Sequence, residues 1–287
     1  MAKKIVALLY DFDKTLSTTD MQEYDFIKNL GMQPSEFWGE CAKLKSEHGM
    51  DGILAYMFNM VDMCKKKGIK LTKEYLNSCG RSVQFFKGVT DWFSRINQFG
   101  ESLGVTVEHY IISSGITEII EGTEIAEYFK AIYGCSFLYN QEGEAMWPAI
   151  AINFTQKTQY IFRVSKGVLD VRDDANLNKA TNSRERRIPY ENMIYIGDGI
   201  TDIPCMTLLR EKGGRAIAIY PAGSKTNAAK QLVKEDRINF VTVADYREEA
   251  TLCKTIKLYI ESIAVTANLR EKEEKQLAAY MSQAQQK

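Results

Sequence analysis

The stretch YDFDKTL at 10–16 sets two carboxylates, Asp11 and Asp13, directly behind the apolar run Ile5–Leu9. In an extended chain residues i and i+2 point the same way, so both acids can face one pocket. Two further apolar runs end alike. EHYII is followed by Ser113, Ser114 and Gly115, and MIYIG by Asp198 and Asp202 of DGITD. Taken singly, each piece is what a strand-to-loop junction or a helix cap carries. Together they send three carboxylates to one edge, where like charges about 4 Å apart cost on the order of 4 kcal/mol per pair. Such an edge makes sense around a cation. An all-oxygen donor set without histidine or thiolate points to Mg²⁺ rather than zinc.

The elements that must hold these groups are short β-rich runs at 4–10, 105–112, 192–197, 215–220 and 237–243. Between 105 and 243 they alternate mostly with helical segments, which predicts an α/β fold with a Rossmann-like, largely parallel sheet. In such a sheet ligands bind beyond the carboxyl ends of the strands, which is where the acids and serines stand. Residues 132–154 carry turn signals and apolar pairs and read as a hairpin-like flap. Residues 17–87 are patterned for helices, several ending at Gly31, Gly49 or Gly68, with no convincing strand. They read as a small helical insert after the first strand. The segment 246–287 reads as one or two polar helices with a frayed end.

Composition narrows the partners. The chain has 287 residues, 45% of them hydrophobic, enough for one large domain or a domain with an insert. Lysine plus arginine equal aspartate plus glutamate at 37 each, so no net charge calls for nucleic acid or an anionic membrane. The six cysteines are scattered without a C-x-x-C pair, as in a reduced intracellular protein. The N-terminal apolar run stops at Asp11 with no cleavage site after it, and no run approaches the roughly 18 residues of a membrane helix. The expected location is cytoplasmic. RERR at 184–187 reads as a polar connection, and His48 and His109 match no catalytic arrangement.

DFDKT at 11–15, the serine at 113, a downstream lysine and GDGITD at 197–202 together resemble the haloacid dehalogenase superfamily of phosphohydrolases, nearest its phosphoserine-phosphatase-like branch. The resemblance covers 1–16 and about 88–222. It implies a core domain of 1–16 and 88–287 with a helical cap of 17–87. It further implies that Asp11 is the nucleophile that takes the phosphoryl group and that Asp13 is the acid and base. An acid at 13 matches the phosphatases rather than the dehalogenases or transport ATPases. Mg²⁺ would be held by the Asp11 carboxylate, the Asp13 carbonyl and Asp198, with Asp202 orienting a metal-bound water or the lysine. Ser113 and the backbone N–H groups around Phe12, Ser114 and Gly115 would bind the phosphoryl oxygens. Lys157 matches the family's lysine best, and Lys166 is its rival.

The resemblance puts specificity in the cap. Asp20 stands near where phosphoserine phosphatases place a glutamate that contacts the substrate amine, though it equally suits a helix N-cap. Arg81 is the only arginine between 17 and 87, and it lies near the hinge, so the cap lacks the arginine that holds the phosphoserine carboxylate. That departure speaks against phosphoserine. Trp38, Tyr56, Met57, Phe58, Met60 and Met63 suit a pocket lining or, more commonly, helical core. The expected activity is hydrolysis of a small phosphorylated metabolite. A regulatory phospho-ligand binder on the same fold, or a phosphotransferase or mutase, is the alternative.

Overall fold

The computed structural model describes residues 4–182, 185–224 and 227–284; Arg184 of the RERR run and the end of the C-terminal segment at 285–287 lie outside them. Seven strands form one sheet: β1 (Ile5–Tyr10), β2 (Thr106–Ile116), β3 (Phe129–Tyr139), β4 (Ala145–Ile150), β5 (Met193–Gly197), β6 (Arg215–Tyr220) and β7 (Phe240–Val243). Their order is β4-β3-β2-β1-β5-β6-β7, and every neighbouring pair is parallel except β3 with β4. All residues of β1 and β5 are buried, as expected of parallel strands covered on both faces.

Helices supply the cover. On one face α5 (Val89–Ser102) packs on β2 and meets α11 (Thr251–Ala284). On the other, α7 (Lys157–Lys166) packs on β2 and α9 (Ile203–Glu211) on β5 and β6. The remaining helices are α6 (Thr117–Glu121), α8 (Asp174–Asn178) and α10 (Asn227–Lys234). The C-terminal segment, expected as one or two helices, is the single helix α11.

The chain winds outward from β1 in both directions, so the switch point lies at β1. Register does the positioning. Tyr10 lies opposite Ile111 of β2 and Ile196 of β5, and Asp11 N–H donates to the Ile196 carbonyl at 3.0 Å. Asp11, Ser113 and Asp198 therefore follow at nearly one level.

Two elements differ from the sequence expectation. The Ser113–Gly115 run continues β2 as strand, as a bulge between the β3 pairs Ile112–Tyr133 and Ile116–Cys135. The flap at 132–154 is the β3–β4 hairpin, but β3 is also a full member of the main sheet. Its polar interruptions (Lys130, Ser136) and its half-covered face hid that role.

Residues 17–87 hold α1 (Asp25–Asn29), α2 (Pro34–His48), α3 (Gly52–Lys67) and α4 (Lys73–Cys79). The chain enters and leaves this stretch through a short antiparallel bridge between Ser17 and Phe85. The Tyr24 hydroxyl pins both limbs: it accepts from the N–H of Thr18 and Thr19 at 3.1 and 3.0 Å and donates to the Gln84 carbonyl at 3.1 Å.

Candidate active site

The strand ends bring Asp11, Asp198 and Asp202 together, each with a carboxylate oxygen within 4.8 Å of the others. Lys157, at the start of α7, reaches in from beneath. Its Nζ lies 3.0 Å from Asp11 Oδ1 and 2.8 Å from Asp202 Oδ1, and it is fully buried. Burial works against the ammonium, but Asp11 and Asp202 outweigh it and keep the lysine charged. Lys166 lies at the other end of α7, where Nζ donates to the Leu177 and Lys179 carbonyls.

One ammonium among three carboxylates leaves the cluster short of positive charge. Burial, and next the charge of Asp202, push Asp11 up to about 6 despite Lys157. Burial, with Asp11 and Asp202 beside it, pushes Asp198 up to about 8. The oxygens also say where a cation fits. Tyr195 Oη (2.7 Å) and Lys157 Nζ both donate to Asp202 Oδ1, while Asp202 Oδ2 is buried with no hydrogen-bond partner. A Cβ at Gly197 would stand 2.3 Å from that bare oxygen, so the glycine keeps the space open. A hard divalent cation suits this donor set.

Asp13 faces away from the cluster toward the helices. Its Oδ1 accepts from Met21 N–H at 2.8 Å. Burial first, then Asp20 and Asp11, raise its carboxyl well above the usual carboxylate range, so it tends to hold its proton. Ser113 is fully buried, and its Oγ accepts from Gly115 N–H at 3.0 Å. Phe12 N–H donates to Asp11 Oδ1 at 2.8 Å.

Above Asp13 lies a cavity of about 300 Å³, lined by Asp13 and Ser114 below and by Asp20, Gln22, Trp38 and Tyr56 above. Asp20 stands at the N-terminus of the 3₁₀ turn Met21–Glu23 but makes no side-chain cap bond; its Oδ2 pairs with Lys14 at 2.6 Å. Tyr56 Oη donates to the Ser114 carbonyl at 2.6 Å, tying α3 to the strand end. Met57 and Met60 are core, Met63 is half-buried against it and Phe58 is exposed. Arg81 lines a different cavity, with Val83, Phe85 and Glu124.

The profile of haloacid dehalogenase-like hydrolases matches residues 8–207, spanning all of these groups. This chain belongs to that family. A relative, an uncharacterized protein of Borreliella burgdorferi, is 24% identical over 87% of this chain and 94% of its own. Among solved structures, a HAD family hydrolase of Salmonella enterica serovar Typhi superposes with a TM-score of 0.55 at 18% identity, covering 84% of this chain and 67% of that one. A substrate-bound phosphoserine phosphatase superposes with a TM-score of 0.53 at 14% identity, covering 89% and 99%. These likenesses are of fold.

The haloacid dehalogenase-like site also holds residues that sequence reasoning passed over. Tyr195 reads as an ordinary strand aromatic, and only the β5 register shows its hydroxyl meeting Asp202. Gln22, Gly52 and Ile53 carry no motif; their place on the cavity wall follows from how α3 and the turn before α1 pack.

Proposed function

We propose that the protein is a Mg²⁺-dependent phosphomonoesterase working through an aspartyl-phosphate on Asp11. The observation that carries this reading is the buried Lys157 ammonium shared by Asp11 and Asp202, with Asp13 set apart on the cavity wall. A binding module has no need of a shielded nucleophile and a separate proton-holding acid.

In the forward half-reaction an Asp11 oxygen attacks phosphorus and the ester P–O bond breaks. Asp13 gives its proton to the departing alkoxide. In the second half Asp13 takes a proton from water, which attacks the aspartyl-phosphate; inorganic phosphate leaves and Asp11 is regenerated. Lys157 holds the charge that builds on the phosphoryl oxygens, and Asp202, fixed by Tyr195, keeps the ammonium in place. Ser113 Oγ and the N–H groups of Phe12, Ser114 and Gly115 bind those oxygens; Phe12 and Gly115 exchange their internal partners to do so. The carboxylates of Asp11 and Asp198 and the carbonyl of Asp13 would hold Mg²⁺, which would supply positive charge at the phosphoryl group.

In this reading 17–87 is a cap on a core of 1–16 and 88–287, and the substrate is a small phosphorylated metabolite of the cytoplasm. Among the described residues no helix is long and apolar enough to cross a membrane. The test is phosphate release from p-nitrophenyl phosphate with Mg²⁺. EDTA and Asp11→Asn should each abolish it, and wild-type turnover by Asp11→Asn would overturn the mechanism.

A further inference from the structure

Resting on the phosphatase reading, we infer that the leaving group is a small amino alcohol with a cationic head and no carboxylate or second phosphate. Among the described residues, the walls of the 300 Å³ cavity carry no lysine, arginine or histidine. What they offer is acceptors and π-faces. Asp13 and Asp20 are acids, and Gln22 Oε1 is buried without a hydrogen-bond partner on a residue only 2% exposed. Trp38 and Tyr56 meet at a corner, ring centroids 6.1 Å apart and planes at 72°. The Trp38 indole N–H is occupied by Glu23 at 2.9 Å and the Tyr56 hydroxyl by the Ser114 carbonyl, so both aromatics are oriented and neither polar tip is spare.

A protonated amine matches the anionic oxygen and the lone acceptor, and a quaternary ammonium matches the anionic oxygen and the aromatic faces. A carboxylate or phosphate would meet the Asp20 carboxylate and no cation on the wall. A polyol could hydrogen-bond to Gln22, Asp13 and Ser114 Oγ, but it would set no positive charge against Asp20 and none over the two rings. Lys14 does not reverse this. It reaches Asp20 Oδ2 as a side chain 46% accessible to solvent, is not on the cavity wall, and leaves Oδ1 for a guest. The volume, at the small end for ligand sites, suits a head of a few carbons rather than a nucleotide.

The test compares kcat/KM of the Mg²⁺-loaded protein on phosphocholine, phosphoethanolamine, phosphoserine, glycerol 3-phosphate and p-nitrophenyl phosphate. The two cationic esters should exceed phosphoserine and glycerol 3-phosphate by at least about tenfold. In Asp20→Asn and in Trp38→Leu, the phosphocholine to p-nitrophenyl phosphate ratio of kcat/KM should fall about tenfold or more. Preference for phosphoserine or the glycerol ester, or an unchanged ratio in both variants, would overturn the inference while leaving the phosphatase reading intact. No turnover of p-nitrophenyl phosphate would remove the phosphatase reading itself. Calorimetry on Asp11→Asn then decides the cavity separately: phosphocholine should bind more tightly than phosphoserine, and the reverse order overturns the inference.

Discussion

Two donors converge on Asp202 Oδ1 and none reaches Oδ2, and that asymmetry ranks the residues of the site. Tyr195→Phe removes one donor without changing the ring that packs in the core. The expected result is a roughly tenfold fall in kcat, about 1.4 kcal/mol, together with a raised Mg²⁺ requirement in a titration of activity against metal. A Tyr195 that only filled space would leave the metal titration where it was. Asp13→Asn keeps the shape of the acid but not its proton, and kcat should fall by about 10²- to 10⁴-fold in steady-state assays. Gly197→Ala puts a methyl where Asp202 Oδ2 now sits, so phosphatase activity should drop sharply while circular dichroism stays native.

Among the elements, α3 touches the strand end through one hydroxyl. Tyr56→Phe deletes the bond to the Ser114 carbonyl, worth about 1 kcal/mol, and KM for p-nitrophenyl phosphate should rise about fivefold with kcat less affected. An unaltered KM would mean that this contact does not hold the helices over the cavity. Legibility also divides at this scale. The strands β1, β5 and β6 are continuous apolar runs because both their faces are covered, and the acids behind the first two stand out against that background. β3 is partly open at both ends and carries Lys130 and Ser136, so its composition resembles a flap. Ser113–Gly115 has the composition of a turn and is strand only because β3 runs beside it. The Tyr195 and Tyr56 hydroxyls were hidden for another reason: their partners lie on elements distant in the chain, and an aromatic ring in a strand or helix is ordinarily core.

For the whole molecule, two groups outside the candidate site make part of the stability sensitive to acid. His109 is buried between Tyr10 and Asn97: Tyr10 Oη, which takes the Trp92 N–H, donates to Nδ1 at 2.9 Å, leaving Nε2–H for Asn97 Oδ1 at 3.0 Å. Burial pulls its pKa down from 6.5 to about 3. The folded protein thus binds fewer protons than the unfolded chain between those values, and stability falls as pH drops through that window. Compared with His109→Gln, the wild type should lose up to about 1.4 kcal/mol per pH unit below 6.5 in urea unfolding; parallel curves would refute this. Glu108 adds a second, lower window. Burial opposes its charge, but Arg187, Lys130 and the Tyr110 hydroxyl prevail and hold it at about 2 against an ordinary 4.5. The stability this brings, about 2 kcal/mol once solvent screening of the half-exposed cations is allowed for, is present above pH 4.5 and lost below it.

The place of β1 at the centre of the sheet has a consequence in time. It is made first, yet its partners begin at Thr106 on one side and Met193 on the other. At about 5–20 residues per second the ribosome needs on the order of 10–40 s to reach β5 after completing β1. Until Thr106–Ile116 emerges β1 has no partner strand, and until β5 follows, one of its two edges stays unpaired. The nascent chain must shelter that strand and its open edge in the helices of 17–87 or in a chaperone, and Asp11 at its end meets Asp198 and Asp202 only when two-thirds of the protein has been synthesised.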